Sequence, residues 1–263
     1  MKKLSKEPLV SIVITCHNYG RFLKEAIDSC LHQSYQNIEI IVIDDGSTDN
    51  TSEVSKTYKN KIRYFYQNNR GVAEARNNGV YKTKGHYVVF LDADDLLKPN
   101  YIKDCCEVIN SNNVGYVFTQ VHHFGAETFD THYPDFDINI LVNSGPYINV
   151  SALHKKENFK LAKFNPGITT GYEDWDFYLS LCEEGIVGKL LNKPLLEYRR
   201  EENKLHISSK TETLLGMYRA KINVMKLHPK LFSNYYMIKF KAKYWPVVII
   251  KKSKLILRGL IRK

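Results

Sequence analysis

Apolar runs alternate with stretches of helical periodicity through the first part of the chain. Runs rich in β-branched and aromatic residues predict strands at Leu9–Thr15, Ile38–Ile43, Ile62–Tyr66 and Tyr87–Leu91. Helix-length segments lie between these runs, and the first of them places Phe22, Leu23, Ala26, Ile27, Cys30 and Leu31 at helical spacing. Strands that alternate with helices of this length predict parallel β-α-β units, and therefore an α/β fold with a doubly wound, mostly parallel sheet and helices on both faces.

The pattern is less regular after the fourth strand. It predicts a helix over Pro99–Asn110, a strand over Val114–Thr119, a helix from Gly171 to about Glu184, an edge strand or two over Ile186–Tyr198 and a helix over Thr211–Leu227. Helical periodicity is lost from Gln120 to Pro146, so irregular strands and loops are expected there, covering a crevice.

Acidic side chains follow the fourth predicted strand directly. Asp92, Asp94 and Asp95 stand within four positions, and such crowded carboxylates are commonly neutralised by a hard divalent cation, which also binds substrate phosphates. The alternative is a solvated turn in which Asp95 caps the helix near Pro99. Since parallel strands end at one rim of the sheet, further polar groups could converge there with them, namely Thr15, His17, Asp44 and Asp45.

A second acidic group, Glu173, Asp174 and Asp176, opens the predicted helix after Gly171. Acids in a first helical turn complement the helix dipole, which is one explanation of the pattern. A carboxylate at a helix N-terminus beside a crevice is also a good general base. The two interpretations stay open on this segment alone. By contrast, His122 and His123 are adjacent in a strand and point to opposite faces, so they are not expected to share a metal.

Composition and charge restrict the class of protein. The 263 residues are 43% hydrophobic and 25% charged, as in ordinary globular proteins. Most of the net charge of +10 can be assigned to the acid-free tail 239–263, so the rest of the chain is near neutral and no nucleic-acid partner is expected. The five cysteines form no C-x-x-C pair and are expected to be core thiols in a reducing compartment.

The tail has the pattern of an amphipathic helix. Lys251, Lys254, Arg258 and Arg262 recur on one side, apolar residues lie mainly on the other, and Tyr244 and Trp245 precede them. This pattern is typical of a helix in the interface of an anionic membrane, and packing on the domain or on a partner subunit is the alternative. Met1–Pro8 lacks the apolar run of a signal peptide, and no segment approaches 18 uninterrupted apolar residues. A cytoplasmic protein at the inner face of the cell membrane is therefore expected.

Several segments together resemble the family 2 glycosyltransferases with the Rossmann-like GT-A fold. In family order they are VSIVITCHNYGRFLKEAIDSCLHQSYQNIEIIVIDDGSTDNT (10–51), NRGVAEARNNGV (69–80), the strand and turn GHYVVFLDADDLLKP, and GYEDWDF (171–177). The resemblance covers roughly residues 8 to 200. It implies a catalytic domain over 1–209, with a nucleotide-sugar half near 8–118 and an acceptor half near 119–209, followed by a helical basic extension over 210–263.

The resemblance also implies a function and a set of site residues. The implied reaction is inverting transfer of one sugar, as in hexosyl- and N-acetylhexosaminyltransferases, from a nucleotide-diphospho-sugar to a glycan or lipid-linked hydroxyl in bacterial surface polysaccharide synthesis. The commonest donor is a UDP-sugar, and Mg²⁺ or Mn²⁺ is the implied cofactor. Asp174 is the implied base, Asp92, Asp94 and His206 the implied metal ligands, and the donor site comprises Thr15, His17, Asn18, Asp44, Asp45, Arg76, Asp92, Ala93 and Arg199.

Other functions fit the sequence less well. A sugar-nucleotide nucleotidyltransferase normally has a Gly-rich phosphate loop with Lys or Arg after the first strand, and TCHNYGR matches this poorly. An aspartate-dependent phosphatase needs D-x-D-x-T after its first strand, whereas DDGST follows the second. A binding protein with a degenerate site is disfavoured because Asp92, Asp94 and Asp174 are intact. The Q-x-x-R-W signature of processive synthases is absent, which favours single-sugar addition.

Overall fold

The computed structural model describes residues 7–169, 171–202 and 214–232, and its first four strands form the parallel half of one sheet. These strands are β1 (Val10–Cys16), β2 (Ile38–Asp45), β3 (Arg63–Gln67) and β4 (Tyr87–Asp92). Their order is β3-β2-β1-β4, and all three pairings are parallel. The predicted β-α-β units are therefore confirmed, because runs such as Ile12–Ile14 are buried on both faces of the sheet.

Helices cover both faces of this half. They are α1 (Gly20–Leu31), α2 (Thr51–Thr57) and α3 (Val72–Lys82), with a short 3₁₀ turn at Lys59–Lys61. One core packs α1 against Ile12 and Ile14, and the other packs α3 against Val13. Alternate residues of β1 thus point into different cores, as the pleat of a strand requires.

The second half of the sheet is mixed rather than parallel. Its strands are β5 (Leu96–Leu97), β6 (Tyr116–Gly125), β7 (Phe129–Thr131), β8 (Leu153–Lys155) and β9 (Gly188–Arg200). The order continues β4-β8-β6-β9-β5, with β7 on β6. The β8 strand is antiparallel to both β4 and β6, β9 is parallel to β6, and β5 is antiparallel to β9. The predicted edge strand β9 therefore has a partner on each side.

The helices of the second half are α4 (Tyr101–Ser111), α5 (Ile138–Ser144), α6 (Asn158–Leu161), α7 (Glu173–Glu183) and α8 (Leu214–Leu227). The expectation of irregular structure over 120–146 is partly wrong, since β6 runs on to Gly125 and α5 forms near its end. Asp137 accepts a hydrogen bond from Asn139 N and caps α5, while the Trp175 indole donates to Leu141 O. Both contacts satisfy backbone groups at the ends of a short helix.

Two further predictions meet the structure here. All five cysteines are free thiols, and four of them are buried in the core, as expected. Within residues 7–169, 171–202 and 214–232, no helix is both long and apolar enough to cross a bilayer. The predicted amphipathic tail helix and His206 lie outside the described residues.

Candidate active site

The carboxyl ends of β1 and β4 bring two predicted site residues together. Thr15 and Asp92 are direct neighbours in the parallel ladder, and the Thr15 hydroxyl donates to Asp92 Oδ1 over 3.2 Å. Ala93 follows in the turn, with its N–H bonded to Thr15 O at 3.2 Å. The Asp92 side chain keeps 37% of its surface exposed, so it remains accessible to a ligand at this rim.

A buried arginine joins Asp92 to the start of α7. Arg76 on α3 is 3% exposed, and its guanidinium bonds Asp92 Oδ1 at 3.2 Å and Glu173 Oε1 at 3.0 Å. It also lies over the Phe164 ring, at 5.4 Å from the centroid. A cation removed from water in this way needs carboxylate partners, and here the partners come from two different elements. Arg76 therefore connects the acidic turn after β4 with the acidic group that opens α7.

Asp174 stands next to Glu173 in that first helical turn. It is half-buried, and its Oδ1 accepts the Trp175 N–H at 2.7 Å. The surrounding protein and the negative charge of Glu173 raise the pKa of Asp174 to about 7, although Arg76 acts in the opposite direction. A carboxylate whose pKa lies near neutrality is well suited to accept a proton. The geometry thus adds a property to Asp174 that its helix position alone did not indicate.

Two turns contact each other beside this cluster. Asn18 has a left-handed backbone, with φ 57°, and its side-chain oxygen accepts the Thr48 N–H at 2.7 Å. Its own N–H donates to Ser47 Oγ at 2.9 Å. The His17 ring bonds Asp45 O at 2.8 Å. His17 and Asn18 therefore hold the turn after β1 against the turn after β2.

The strand pleat separates Asp44 from Asp45. Asp45 accepts the N–H groups of Arg70 and Gly71, each at 2.9 Å, and the Gln67 amide at 2.7 Å, at the start of α3. Asp44 accepts the Tyr64 hydroxyl at 2.6 Å and pairs in the ladder with Cys16, which belongs to the core under α1. Successive strand residues point to opposite faces, so Asp45 shares the face of Thr15 and Asp92, whereas Asp44 does not.

Asp94 and Asp95 lie beside the end of β9. Asp95 Oδ1 accepts the Arg199 N–H at 2.9 Å, and Asp94 O accepts from Arg199 Nε at 2.9 Å. The alternative in which Asp95 caps the next helix is wrong, because α4 begins after Asn100 and Asp95 bonds to β9 instead. The turn is thus held by a strand more than a hundred positions away in sequence.

Comparison with known proteins now decides the family. The sequence profile of glycosyl transferase family 2 matches residues 11–172. An uncharacterized glycosyltransferase of Haemophilus influenzae is 33% identical over 186 residues, which cover 67% of this chain and 73% of that protein. The chain belongs to glycosyl transferase family 2.

Other relatives match over shorter lengths. Glycosyltransferase GlyG of Streptococcus pneumoniae is 36% identical over 120 residues, which are 44% of this chain and 40% of GlyG. An uncharacterized glycosyltransferase of Rickettsia typhi is 46% identical over 110 residues, which are 42% of this chain and 35% of that protein. These alignments therefore span less than half of the length of either relative.

Solved structures confirm the fold of this family 2 chain. The 1-349 fragment of S. aureus TarS, solved in complex with UDP-GlcNAc, superposes with a TM-score of 0.70 at 19% identity, over 86% of this chain and 66% of that one. The mannosyltransferase PcManGT of Pyrobaculum calidifontis, solved with GDP-Man and Mn²⁺, gives 0.63 at 16% identity, over 98% and 81%. The chain has the GT-A fold.

The donor atoms at the rim fit a hard divalent cation. Asp92 and Asp94 supply carboxylate oxygens, which are the ligands that Mg²⁺ and Mn²⁺ prefer. Among the described residues, no group of three or more His, Cys, Asp and Glu side chains is arranged to hold a metal. Cations that arrive with a diphosphate commonly need only one or two protein carboxylates, so two are enough.

Sequence reasoning did not find the role of Glu173. The sequence shows Glu173 only as part of an acidic helix start, because its partner Arg76 is 97 positions away.

A cavity of about 730 Å³ lies away from the family 2 site, at the opposite end of the sheet. It is lined by residues that include Pro8, Tyr87, Lys155 and Phe159. None of the predicted site residues lines it.

Proposed function

We propose that this chain is an inverting glycosyltransferase, which moves one sugar from a nucleotide-diphospho-sugar to a hydroxyl of a glycan or lipid-linked acceptor. The observation that carries the proposal is the connected group of Thr15, Asp92, Arg76 and Glu173, with Asp174 beside it, at the carboxyl rim of a GT-A sheet. Ligands of open α/β sheets bind at this rim.

In the proposed reaction, Asp174 takes the proton of the acceptor hydroxyl while that oxygen attacks the anomeric carbon. The bond between that carbon and the diphosphate oxygen breaks, and the nucleoside diphosphate leaves with the electron pair. A single displacement from the opposite side inverts the carbon, so no protein nucleophile is required. The raised pKa of Asp174 supports this assignment, because a base must accept a proton near the working pH.

The donor is expected to lie along β1, β2 and β4. Asp45, Thr15 and Asp92 share one face of the sheet there, and His17 and Asn18 form the adjoining loop. A bound cation would neutralise the charge that develops on the departing diphosphate. Asp92 and Asp94 are the residues that would hold it. The donors in the complexes of TarS and PcManGT, UDP-GlcNAc and GDP-Man, suggest which nucleotide-sugars to test first.

A panel of UDP-, GDP- and dTDP-sugars tests the proposal. The purified 263-residue chain is incubated with each donor, with Mn²⁺ or with a chelator, and released nucleoside diphosphate is measured. We expect cation-dependent release from at least one donor and its loss in Asp174→Asn. Donor binding without any turnover under these conditions would favour a binding protein, and turnover in Asp174→Asn equal to that of the wild type would reject the assigned base.

The basic, amphipathic sequence of the tail supports a location for the enzyme in the cell. We propose that the tail 244–263 attaches the chain to the inner face of the cell membrane, where a lipid-linked acceptor of surface polysaccharide synthesis would be found. The protein should then sediment with vesicles containing phosphatidylglycerol at low salt, and deletion of 244–263 should release it. Equal sedimentation with phosphatidylcholine vesicles, with anionic vesicles and without vesicles would contradict the proposal.

A further inference from the structure

The end of β9 runs alongside the turn that carries Asp94. The β5–β9 ladder pairs Leu96 with Glu197, so the residues that follow Glu197 pass next to the residues that precede Leu96. Arg199 is also paired with Phe124 in β6, which fixes its height along the sheet. Strand register, rather than a flexible loop, therefore brings Arg199 to the acidic turn.

Arg199 holds the turn directly after the Asp94 Cα. Its N–H donates to Asp95 Oδ1, and its Nε donates to Asp94 O, each at 2.9 Å. Within the turn, Asp95 N bonds Asp92 O at 3.0 Å. A charged guanidinium donor makes a stronger hydrogen bond than a neutral one. The backbone that follows the Asp94 Cα is thus restrained by one residue of β9, and the bond within the turn ties it back to Asp92.

The Arg199 guanidinium is itself held in place. It lies 4.5 Å from the Phe22 ring centroid and 4.4 Å from that of Phe124, and one terminal nitrogen donates to Glu25 Oε2 at 2.7 Å. Its side chain is only 13% exposed. Contact with the faces of two rings restricts the plane of a guanidinium, and a carboxylate at its tip restricts rotation within that plane.

We propose that Arg199 is a positioning residue, which directs the Asp94 carboxylate toward a donor-bound cation by fixing the backbone of the turn, and that Glu25 orients Arg199 for this role. The inference rests on the proposed function, because the cation and the donor are part of it. It differs from the role that the family resemblance implied, in which Arg199 belongs to the donor site and steadies the diphosphate or the metal. The two roles predict different behaviour for Glu25, which lies on α1 and is half exposed.

Hydrogen exchange tests the positioning role without any ligand. Arg199→Met keeps an unbranched apolar stem but removes the guanidinium, and with it the bonds to Asp94 and Glu25. We expect the backbone amides of residues 93–97 to exchange roughly tenfold faster in this variant and a smaller increase in Glu25→Gln. Arg200→Met is the matched control, since the neighbouring Arg200 contacts Phe129 and Tyr198 instead of the turn. Unchanged exchange in Arg199→Met would overturn the inference.

Cation binding gives the second readout. The affinity for Mn²⁺ is measured by electron paramagnetic resonance with UDP or GDP present, in wild type, Arg199→Met, Arg199→Lys, Glu25→Gln and the double variant. We expect roughly tenfold weaker binding in Arg199→Met, little rescue by lysine, and a double variant no worse than Arg199→Met, since coupled residues are not additive. Wild-type Mn²⁺ affinity in Arg199→Lys, together with an unchanged affinity in Glu25→Gln, would mean that Arg199 binds phosphate directly. The inference would then be wrong.

The two experiments separate failure of the inference from failure of the proposed function. If the wild type binds neither nucleotide with Mn²⁺, the proposed donor chemistry fails, and the cation-directing role of Arg199 is rejected with it. If the wild type binds a nucleotide with Mn²⁺ and the Arg199 variants bind equally well, the proposed function stands and only the positioning role is rejected.

Discussion

The two acidic turns of the sheet use their carboxylates differently. In the first, residues 44–49 at the end of β2, Asp45 is 4% exposed and accepts two backbone N–H groups and a side-chain amide. In the second, residues 92–95 at the end of β4, the side chain of Asp92 is 37% exposed and bonds the hydroxyl of Thr15 and the guanidinium of Arg76. Asp45 is therefore buried with protein donors on its oxygens, whereas Asp92 keeps surface that a ligand can reach.

This difference is not visible in the sequence. DDGSTD and DADD both follow a predicted buried strand and both reach the same rim, so spacing alone predicts ligand binding equally well for the two turns. The hydrogen bonds distinguish them, since a buried carboxylate with a complete set of donors contributes to folding. An acid that keeps surface toward a crevice is the better candidate for chemistry. The predictions below test this distinction, from the largest expected effect to the smallest.

The largest effect is expected at Asp174. We predict that Asp174→Asn lowers turnover by roughly 10²–10⁴-fold, the usual contribution of a general base, while donor affinity and the free energy of unfolding change little. Steady-state kinetics, donor titration and urea unfolding measure the three quantities. Glu184→Gln is a matched control, because Glu184 is exposed at the other end of the same helix. Collapse of donor affinity would show that Asp174 binds substrate or caps the helix.

The next largest effect is expected at Asp94, in the second turn. We predict that Asp94→Asn weakens cation-dependent donor binding by roughly 100-fold, because it replaces a charged oxygen ligand with a neutral one. Calorimetric titration of donor with Mn²⁺ measures this effect, and Asp130→Asn, an exposed carboxylate on β7, serves as control. Full activity of the variant, or full wild-type activity in a chelator, would contradict the metal assignment.

The first turn should respond in the opposite way. Asp45→Asn removes a charged acceptor that three protein donors share, and we predict a loss of about 2 kcal/mol in the free energy of unfolding, since each buried donor then loses part of its bond. Urea denaturation of Asp45→Asn and Asp94→Asn gives the comparison. A larger loss of stability in Asp94→Asn than in Asp45→Asn would break the distinction between the two turns.

Features that depend on local sequence could be predicted, whereas contacts between residues far apart in the sequence could not. The strands β1 to β4 and the rim of polar turns were predicted because each is coded by a local apolar run and the residues after it. The pairing of Arg76 with Glu173 was not predicted, since it joins α3 to α7 across 97 positions. Arg199 was placed in the site by resemblance, but its contact with the Asp94 carbonyl depends on the β5–β9 register.

Short helices and strands were also not predicted from the sequence. The helix α5 has seven residues, too few to establish a period, and it is fixed by the Asp137 cap and the distant Trp175 indole. The three-residue β8 enters the sheet between β4 and β6, where Leu153 pairs with both Val89 and Val117. Tertiary contacts decide such elements, because their own propensity is weak.

A smaller effect is expected in the pH dependence of turnover. Asp174 must be ionised to accept a proton, so its raised pKa predicts that activity falls as the pH drops through neutrality. Glu173→Gln removes a negative charge that raises the pKa of Asp174. It also removes one of the two carboxylates that pair with Arg76, whose positive charge lowers the pKa of Asp174. We therefore predict that the acid limb of the kcat profile moves to lower pH, by about one unit or less. A limb that stays in place or moves upward would contradict the assignment.

The contrast between the two turns recurs within the first turn of α7. Asp174 is half-buried, whereas Asp176 is 3% exposed and its Oδ1 bonds His228 Nε2 at 3.0 Å. Glu183 Oε2 lies 3.2 Å from the other ring nitrogen of His228. Asp176 therefore has a structural role, although it lies only two positions from the proposed base. It is also unsuitable as a neutral control for Asp174, because its replacement would remove one of the two carboxylates that contact the buried His228.

The smallest predicted effect is the pH dependence of stability that His228 provides. Burial alone would lower the pKa of His228, but hydrogen bonds and charge attraction from Asp176 and Glu183 raise it above the ordinary value. A raised pKa means that the folded state binds the proton more tightly. The extra stability is therefore fully present below the unfolded pKa of about 6.5 and is lost as the pH rises through the folded value.

Urea unfolding of wild type and His228→Gln between about pH 5.5 and 9 measures this contribution. We expect the stability advantage of the wild type to shrink as the pH rises across that range, because the folded state then loses the proton that it binds more tightly than the unfolded state does. Asp176→Asn should reduce the same pH dependence, because it removes one of the two carboxylates that hold the imidazolium. Parallel stability curves for wild type and His228→Gln would show that the histidine stays neutral, and the structural role of Asp176 would then rest on an uncharged hydrogen bond.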